Sequence, residues 1–174
     1  NSAEKRQDML SVHQINNAIN NDLFILYKQN IVPLQKQKMG KHFEILLRMI
    51  DNHGNIVSPV SFFPIAERYQ LSSKIDRWVL NAVYEYFDHH NDQIDTIDTV
   101  SINLSGHSLT DNDLEKFIID KISESKLPPE KICFEITETA AITNTKRARL
   151  FMNNIKSLGC KFALDDFGSG HSSY

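Results

Sequence analysis

Four short runs of the chain alternate between bulky apolar residues and a second set of positions that carries polar oxygen. The runs are residues 43–48, 100–104, 132–137 and 162–166. One parity is apolar throughout: Phe43, Ile45 and Leu47; Val100, Ile102 and Leu104; Ile132, Phe134 and Ile136; Phe162 and Leu164. The other parity places Glu44, Asn103, Glu135 and Asp165 on one side. Successive side chains of a strand point to opposite faces, so this pattern predicts strands with one face packed on helices and the other converging on a shared centre.

Between and around these runs the apolar spacing becomes helical. Met9, Val12, Ile15, Ala18 and Ile19 predict an amphipathic lead-in helix over 5–20. A first strand follows over 23–34, with Pro33 near its end, and a second over 41–50 that stops at the turn Asp51-Asn52-His53-Gly54. Pro59 precedes a short helix, 61–69, and a longer helix over 73–89 places Ile75, Trp78, Val79, Ala82, Val83 and Tyr86 on one face. The strand at 99–104 leads to a helix opened by Thr110 or Asp111 and ended near Pro128-Pro129. Then come a strand at 131–137, a helix at 144–158 closed by Gly159, and a strand at 161–165. In the loop beyond it, Gly168 and Gly170 permit a tight turn.

Alternating strands and helices allow an open doubly wound sheet or a (β/α)8 barrel. An open sheet covered on both faces would be apolar on both parities. Here Glu44, Leu46 and Arg48 share a parity within one strand, which suits a barrel lumen. A closed barrel takes roughly 250 residues, whereas five strands are counted in these 174. The reading is an α/β chain forming an incomplete TIM-type barrel, with residues 1–22 as a linker helix and 23–174 as the domain.

Composition narrows this picture only modestly. With 41% apolar and 24% charged residues the chain is ordinary globular material, and a net charge of -3 without a basic run argues against a nucleic-acid polymer as partner. Cys133 and Cys160 lack disulfide or metal-ligand spacing, which suits a reduced, cytoplasmic setting. No apolar stretch is long enough to span a membrane, so any anchor is expected outside this segment. The histidines show no zinc-binding spacing, and His89-His90 reads as a solvated helix end.

Three carboxylates and an amide gathered in one place repel unless a hard cation lies among them. Oxygen donors of this kind suit Mg²⁺ or Mn²⁺, and Asp165-Asp166 at a strand end puts two acids where the backbone leaves regular geometry. Taken singly, each residue has a plainer role: Glu44 as an edge residue, Asn103 as a turn cap, Glu135 and Glu138 as a solvated pair.

The run Glu44-Ile45-Leu46-Leu47-Arg48 resembles the motif of the EAL-domain cyclic-di-GMP phosphodiesterases, with isoleucine in place of alanine. The resemblance extends through Tyr27-Lys28-Gln29-Asn30-Ile31-Val32, Phe63-Pro64-Ile65-Ala66-Glu67 and Ile75-Asp76-Arg77-Trp78-Val79. It continues in Ile102-Asn103-Leu104-Ser105, Glu135-Ile136-Thr137-Glu138 and Leu164-Asp165-Asp166-Phe167-Gly168-Ser169-Gly170, in the family's order. Asn30 departs from the usual proline. The resemblance implies a barrel whose first strand is antiparallel, and hydrolysis of cyclic di-GMP to linear pGpG. It implies Glu44, Asn103, Glu135, Asp165 and Asp166 as metal ligands, Glu138 as the holder of the loop after strand five, and Gln29, Leu46 and Arg48 at the substrate. Arg48 stays open between a phosphate contact and a structural ion pair. A homodimer and an upstream GGDEF or sensory domain are also implied.

The family's later lysine, glutamate and glutamine have no counterpart through Tyr174, so this segment alone is expected not to be a stable, active monomer. A receptor that binds cyclic di-GMP without hydrolysis and a purely dimerising module are the alternative functions.

Overall fold

Strict alternation along the strands becomes a two-faced sheet in the computed structural model, which describes residues 2–34, 40–143 and 145–165. The elements are α1 (Ser2–Asn20), β1 (Phe24–Ile31), β2 (Lys41–Ile50), β3 (Ile56–Val57), α2 (Pro59–Arg68), α3 (Ser72–His89), β4 (Ile97–Asn103), α4 (Asn112–Glu124), β5 (Ile132–Thr137), α5 (Glu138–Ile142), α6 (Lys146–Ser157) and β6 (Lys161–Asp165). The sheet order is β1-β2-β4-β5-β6, with β3 paired to β2. β1 runs antiparallel to β2, and β2, β4, β5 and β6 are mutually parallel. This is an α/β architecture, an incomplete TIM-type barrel whose first strand is antiparallel.

The apolar parity forms continuous rows. Phe43 lies beside Val100 and Val100 beside Ile132; Ile102 lies beside Phe134 and Phe134 beside Phe162. Helices cover these rows with Ile75, Val79, Leu80 and Val83 from α3, Leu114 and Ile118 from α4, and Phe151 and Ile155 from α6. The row ends at the edge: Leu164 is 49% exposed, because only β5 flanks β6 among the described residues.

Local chemistry sets the helix ends. Pro59 occupies the first turn of α2, where its missing N–H costs nothing. The carboxylate of Asp111 accepts from the Asp113 and Leu114 amides and caps α4. That helix stops at Glu124, before the expected Pro128-Pro129, because Asp88 of α3 takes the Ser125 hydroxyl at 2.7 Å and the Lys126 amide at 3.0 Å. Gly159 follows α6 with φ +113, the left-handed conformation a C′ glycine supplies. His89 and His90 turn Nδ1 back onto the Glu85 and Tyr86 carbonyls at 2.7 and 2.8 Å, so both rings finish α3.

Of the apolar stripe on α1, Ile15 and Ala18 are fully buried, while Met9 is half exposed. Asp8 pairs with Arg68 and accepts from the Tyr69 hydroxyl, and Asp22 accepts from the Trp78 indole. Tyr86, expected on the buried stripe of α3, is 46% exposed; Leu80, Tyr84 and Phe87 take the interior instead. Among the described residues no helix is long and apolar enough to cross a membrane.

Candidate active site

The strand registers explain how four residues far apart in sequence share one height. Glu44 lies level with Ser101, Ser101 with Cys133, and Cys133 with Lys161. One two-residue step higher, Asn103 is level with Glu135 and Glu135 with Ala163; one step higher again, Thr137 is level with Asp165. The polar set therefore climbs diagonally across the sheet. Barrel strands are tilted and staggered, so such a diagonal runs around the barrel at constant height. Ala163, in the row of Glu135, projects only a methyl group.

One carboxylate oxygen each from Glu44, Glu135 and Asp165 lies within 4.8 Å of the others. Asn103 Nδ2 donates to Glu44 Oε1 at 3.0 Å. Burial, followed by the negative charge of Glu44 and Asp165, pushes the Glu135 carboxyl up to about 7, and a hydrogen bond from Ser101 partly offsets this. Such crowding is what a divalent cation relieves. The donor set fits a hard metal: three carboxylates and one amide, from four parallel strands. Cys133 shares this face, but burial and then the Glu135 charge push its thiol pKa up, which disfavours the thiolate a soft metal requires.

β2 continues past Glu44 to Ile50 and forms, with β1, a wall beside the cluster. Directly paired residues share a face, so Gln29 opposite Glu44, Tyr27 opposite Leu46 and Ile25 opposite Arg48 all belong to the inner side. Gln29 and Tyr27 are exposed, and Leu46 and Arg48 partly so. The Arg48 guanidinium lies 5.8 Å from the Tyr27 ring centre and donates to the Leu47 carbonyl at 2.6 Å. Glu138 opens α5 immediately after β5, where the Thr137 hydroxyl caps the helix. Asp166, Gly168 and Gly170 lie outside the described residues.

Behind the cluster, Asp76 holds the turn that follows Asn103. It is buried in α3, and one of its oxygens accepts from the Ser105 amide at 2.8 Å and from the Ser108 hydroxyl. Burial raises its pKa to about 6 despite these donors. Ile45, Leu47, Phe63, Asp76, Val79 and Asn103 line a void of about 20 Å³, room for about one water.

The EAL domain profile matches residues 12–174. The chain belongs to the EAL domain family. It is 37% identical over 161 residues to the cyclic di-GMP phosphodiesterase PdeB of Shewanella oneidensis, covering 92% of this chain and 19% of that protein. To the cyclic di-GMP phosphodiesterase PdeA of Borreliella burgdorferi it is 38% identical over 159 residues, covering 90% of this chain and 23% of that protein. This EAL chain thus spans about a fifth of the length of the curated relatives it matches.

Among solved structures, the FimX EAL domain of Pseudomonas aeruginosa bound to c-di-GMP superimposes with a TM-score of 0.80 at 27% identity, covering 91% of this chain and 62% of that one. The EAL enzyme Bd1971, in its cAMP and cyclic-di-GMP bound form, gives 0.82 at 30% identity, covering 99% of this chain and 47% of that one.

Two residues at the centre of this EAL site carry no motif signal. Ser101, 1% exposed, lies level with Glu44, and its hydroxyl holds down the raised pKa of Glu135 in part. His42 reaches the Ser101 hydroxyl through Nε2 at 3.0 Å. The only hint in the sequence is that both share the parity of Glu44 and Asn103.

Proposed function

We propose that the intact protein hydrolyses one phosphodiester bond of cyclic di-GMP to give linear pGpG, with Mg²⁺ or Mn²⁺ as cofactor. The observation that carries this is the convergence of the Glu44, Glu135 and Asp165 carboxylates within 4.8 Å on three parallel strands. Two relatives named as cyclic di-GMP phosphodiesterases add support.

Glu44, Asn103, Glu135 and Asp165 would hold the cation, with Asp166 as a further acid. Because Asn103 Nδ2 points at Glu44, its Oδ1 is the atom that would ligate. A bound cation supplies charge neutralisation for the phosphoryl oxygens and lowers the pKa of the attacking water. The chain's own residues do the remainder. Gln29 and Leu46 present a polar and an apolar contact to the nucleotide from adjacent rows of the β1–β2 wall. Arg48, farther along β2, would contact the phosphate, its guanidinium lying 5.8 Å from the Tyr27 ring centre. Glu138 steadies the loop after β6. The protein is read as a homodimer in a bacterial signalling chain that also carries a GGDEF or sensory domain, working in the cytoplasm.

Incubating the full-length protein with cyclic di-GMP and Mg²⁺, then with Mn²⁺, tests the reading by chromatography of the products. Appearance of pGpG is expected. Glu44→Ala should reduce turnover by more than the roughly 10–100-fold typical of losing a group that merely holds a metal ligand. Tight nucleotide binding without product would assign the chain to non-hydrolysing receptors; neither binding nor turnover would leave a dimerising module.

A further inference from the structure

We infer that Asp76 is a positioning residue for the metal ligand Asn103: its buried carboxylate clamps the turn that ends β4 and so sets where the Asn103 amide meets Glu44. The inference rests on the metal-centre reading above and extends it to a residue of α3, outside the sheet.

Asn103 is the last residue of β4. Toward β5 it is well tied: it lies level with Glu135, and the next amide, that of Leu104, donates to the Glu135 carbonyl at 2.9 Å. Toward β2 the register runs from Lys41 beside Ile97 to Glu44 beside Ser101, and stops two residues short of Asn103. The Asn103 side chain nevertheless reaches across to β2, where Nδ2 donates to Glu44 Oε1 at 3.0 Å. Strand pairing holds this ligand on one side only, so the residues that follow it must hold the other.

Asp76 supplies that hold from behind the sheet. One of its carboxylate oxygens accepts from the Ser105 amide at 2.8 Å and from the Ser108 hydroxyl at 2.5 Å. The Ser105 and Ser108 hydroxyls lie 3.1 Å apart, and the Ser108 amide donates to the Ser105 carbonyl at 3.1 Å, which closes the turn on itself. Asp76, Ser105 and Ser108 are all buried, and Asp76 stands on α3 among Ile75, Val79 and Leu80 of the core. Asp76 and Asn103 also line the same void of about 20 Å³, so clamp and ligand border one small space. An apolar side chain would fill a packing position at lower cost, because a buried carboxylate gives up its hydration. What the carboxylate adds is the capture of two donors of one turn at a single oxygen, two residues beyond the ligand.

Groups that orient a metal ligand typically change metal affinity by about 10–100-fold when removed. The test is Mn²⁺ titration of the full-length protein without nucleotide, followed by electron paramagnetic resonance of free Mn²⁺. Asp76→Ala is expected to weaken binding about 10-fold. Asp76→Asn should keep most of the affinity, because its carbonyl oxygen still accepts from both donors. In an Asn103→Ala background, Asp76→Ala should have no further effect. Should Asp76→Ala fail to fold by circular dichroism, Ser108→Ala, which removes one arm of the clamp, takes its place in the same cycle with a smaller loss.

A purely structural Asp76 would lower the urea midpoint and leave the Mn²⁺ affinity of the folded variant unchanged, which would overturn the inference. Equal losses for Asp76→Ala and Asp76→Asn, or an undiminished loss in the Asn103→Ala background, would overturn it too while the metal centre stands. No Mn²⁺ binding by the wild-type protein would overturn both.

Discussion

On the outward face of β5, Ile132 and Phe134 are fully buried and Ile136 nearly so; on the inward face Cys133, Glu135 and Thr137 alternate with them and stay partly exposed. The same six residues of backbone serve both faces. Outward, each side chain gains from leaving water, and rows such as Ile102, Phe134 and Phe162 extend that gain from strand to strand. Inward, each added carboxylate costs the next one, so Glu135 is driven up to about 7. One face makes the sheet stable; the other is tolerated by it, and a divalent cation is what would relieve its crowding.

The largest test of this contrast is Phe134→Ala, which should lower the stability of the folded chain by about 3–5 kcal/mol in denaturant titrations. Glu135→Gln, one position away, should do the opposite. Without divalent metal at neutral pH it is expected to stabilise by on the order of 1 kcal/mol, a figure reduced from the full pKa displacement because solvent reaches the group. The same variant should lose Mn²⁺ binding.

The pH profile sharpens the comparison further. Glu135 titrates at 4.5 ordinarily and at about 7 in the folded chain, so between those values the folded state keeps a proton the unfolded state has released. Metal-free stability therefore falls as pH rises through that window. Asp76 adds a fall of the same sign between 3.8 and about 6. Urea midpoints at about pH 5 and about pH 7.5 should show the decline, Glu135→Gln should flatten its upper part, and added Mn²⁺ should recover stability at the higher pH. The smallest effect is expected at the periphery: Asp8→Ala removes an ion pair whose arginine is mostly exposed and should cost under about 1 kcal/mol.

How far the sequence foretold this site follows from the range over which its signals act. Glu44, Asn103, Glu135 and Asp165 were legible because period-two alternation assigns a face without knowledge of the neighbours. The start of α4 was legible for the same local reason, to within the choice between Thr110 and Asp111 that the structure resolves to Asp111. By contrast, α4 ends at Glu124 because Asp88, on another helix, captures the following turn, and no local pattern carries that. β3, at Ile56–Val57, is too short to show any period. Ser101 and His42 are ordinary strand residues until the β2–β4 register sets Ser101 level with Glu44 and brings His42 within hydrogen-bonding distance of the Ser101 hydroxyl. Asp76 likewise looks like one more charge on a helix, and its burial against Ser105 and Ser108 appears only when α3 is packed.

The diagonal ascent of the acids by pairs of residues restricts how this domain can change length. An insertion of a single residue inside β4 would swing Ile102 inward and Asn103 into the oily layer beneath the helices, exchanging solvent for grease at both positions. Surviving insertions and deletions should accordingly collect in the connections, or arrive within strands two residues at a time.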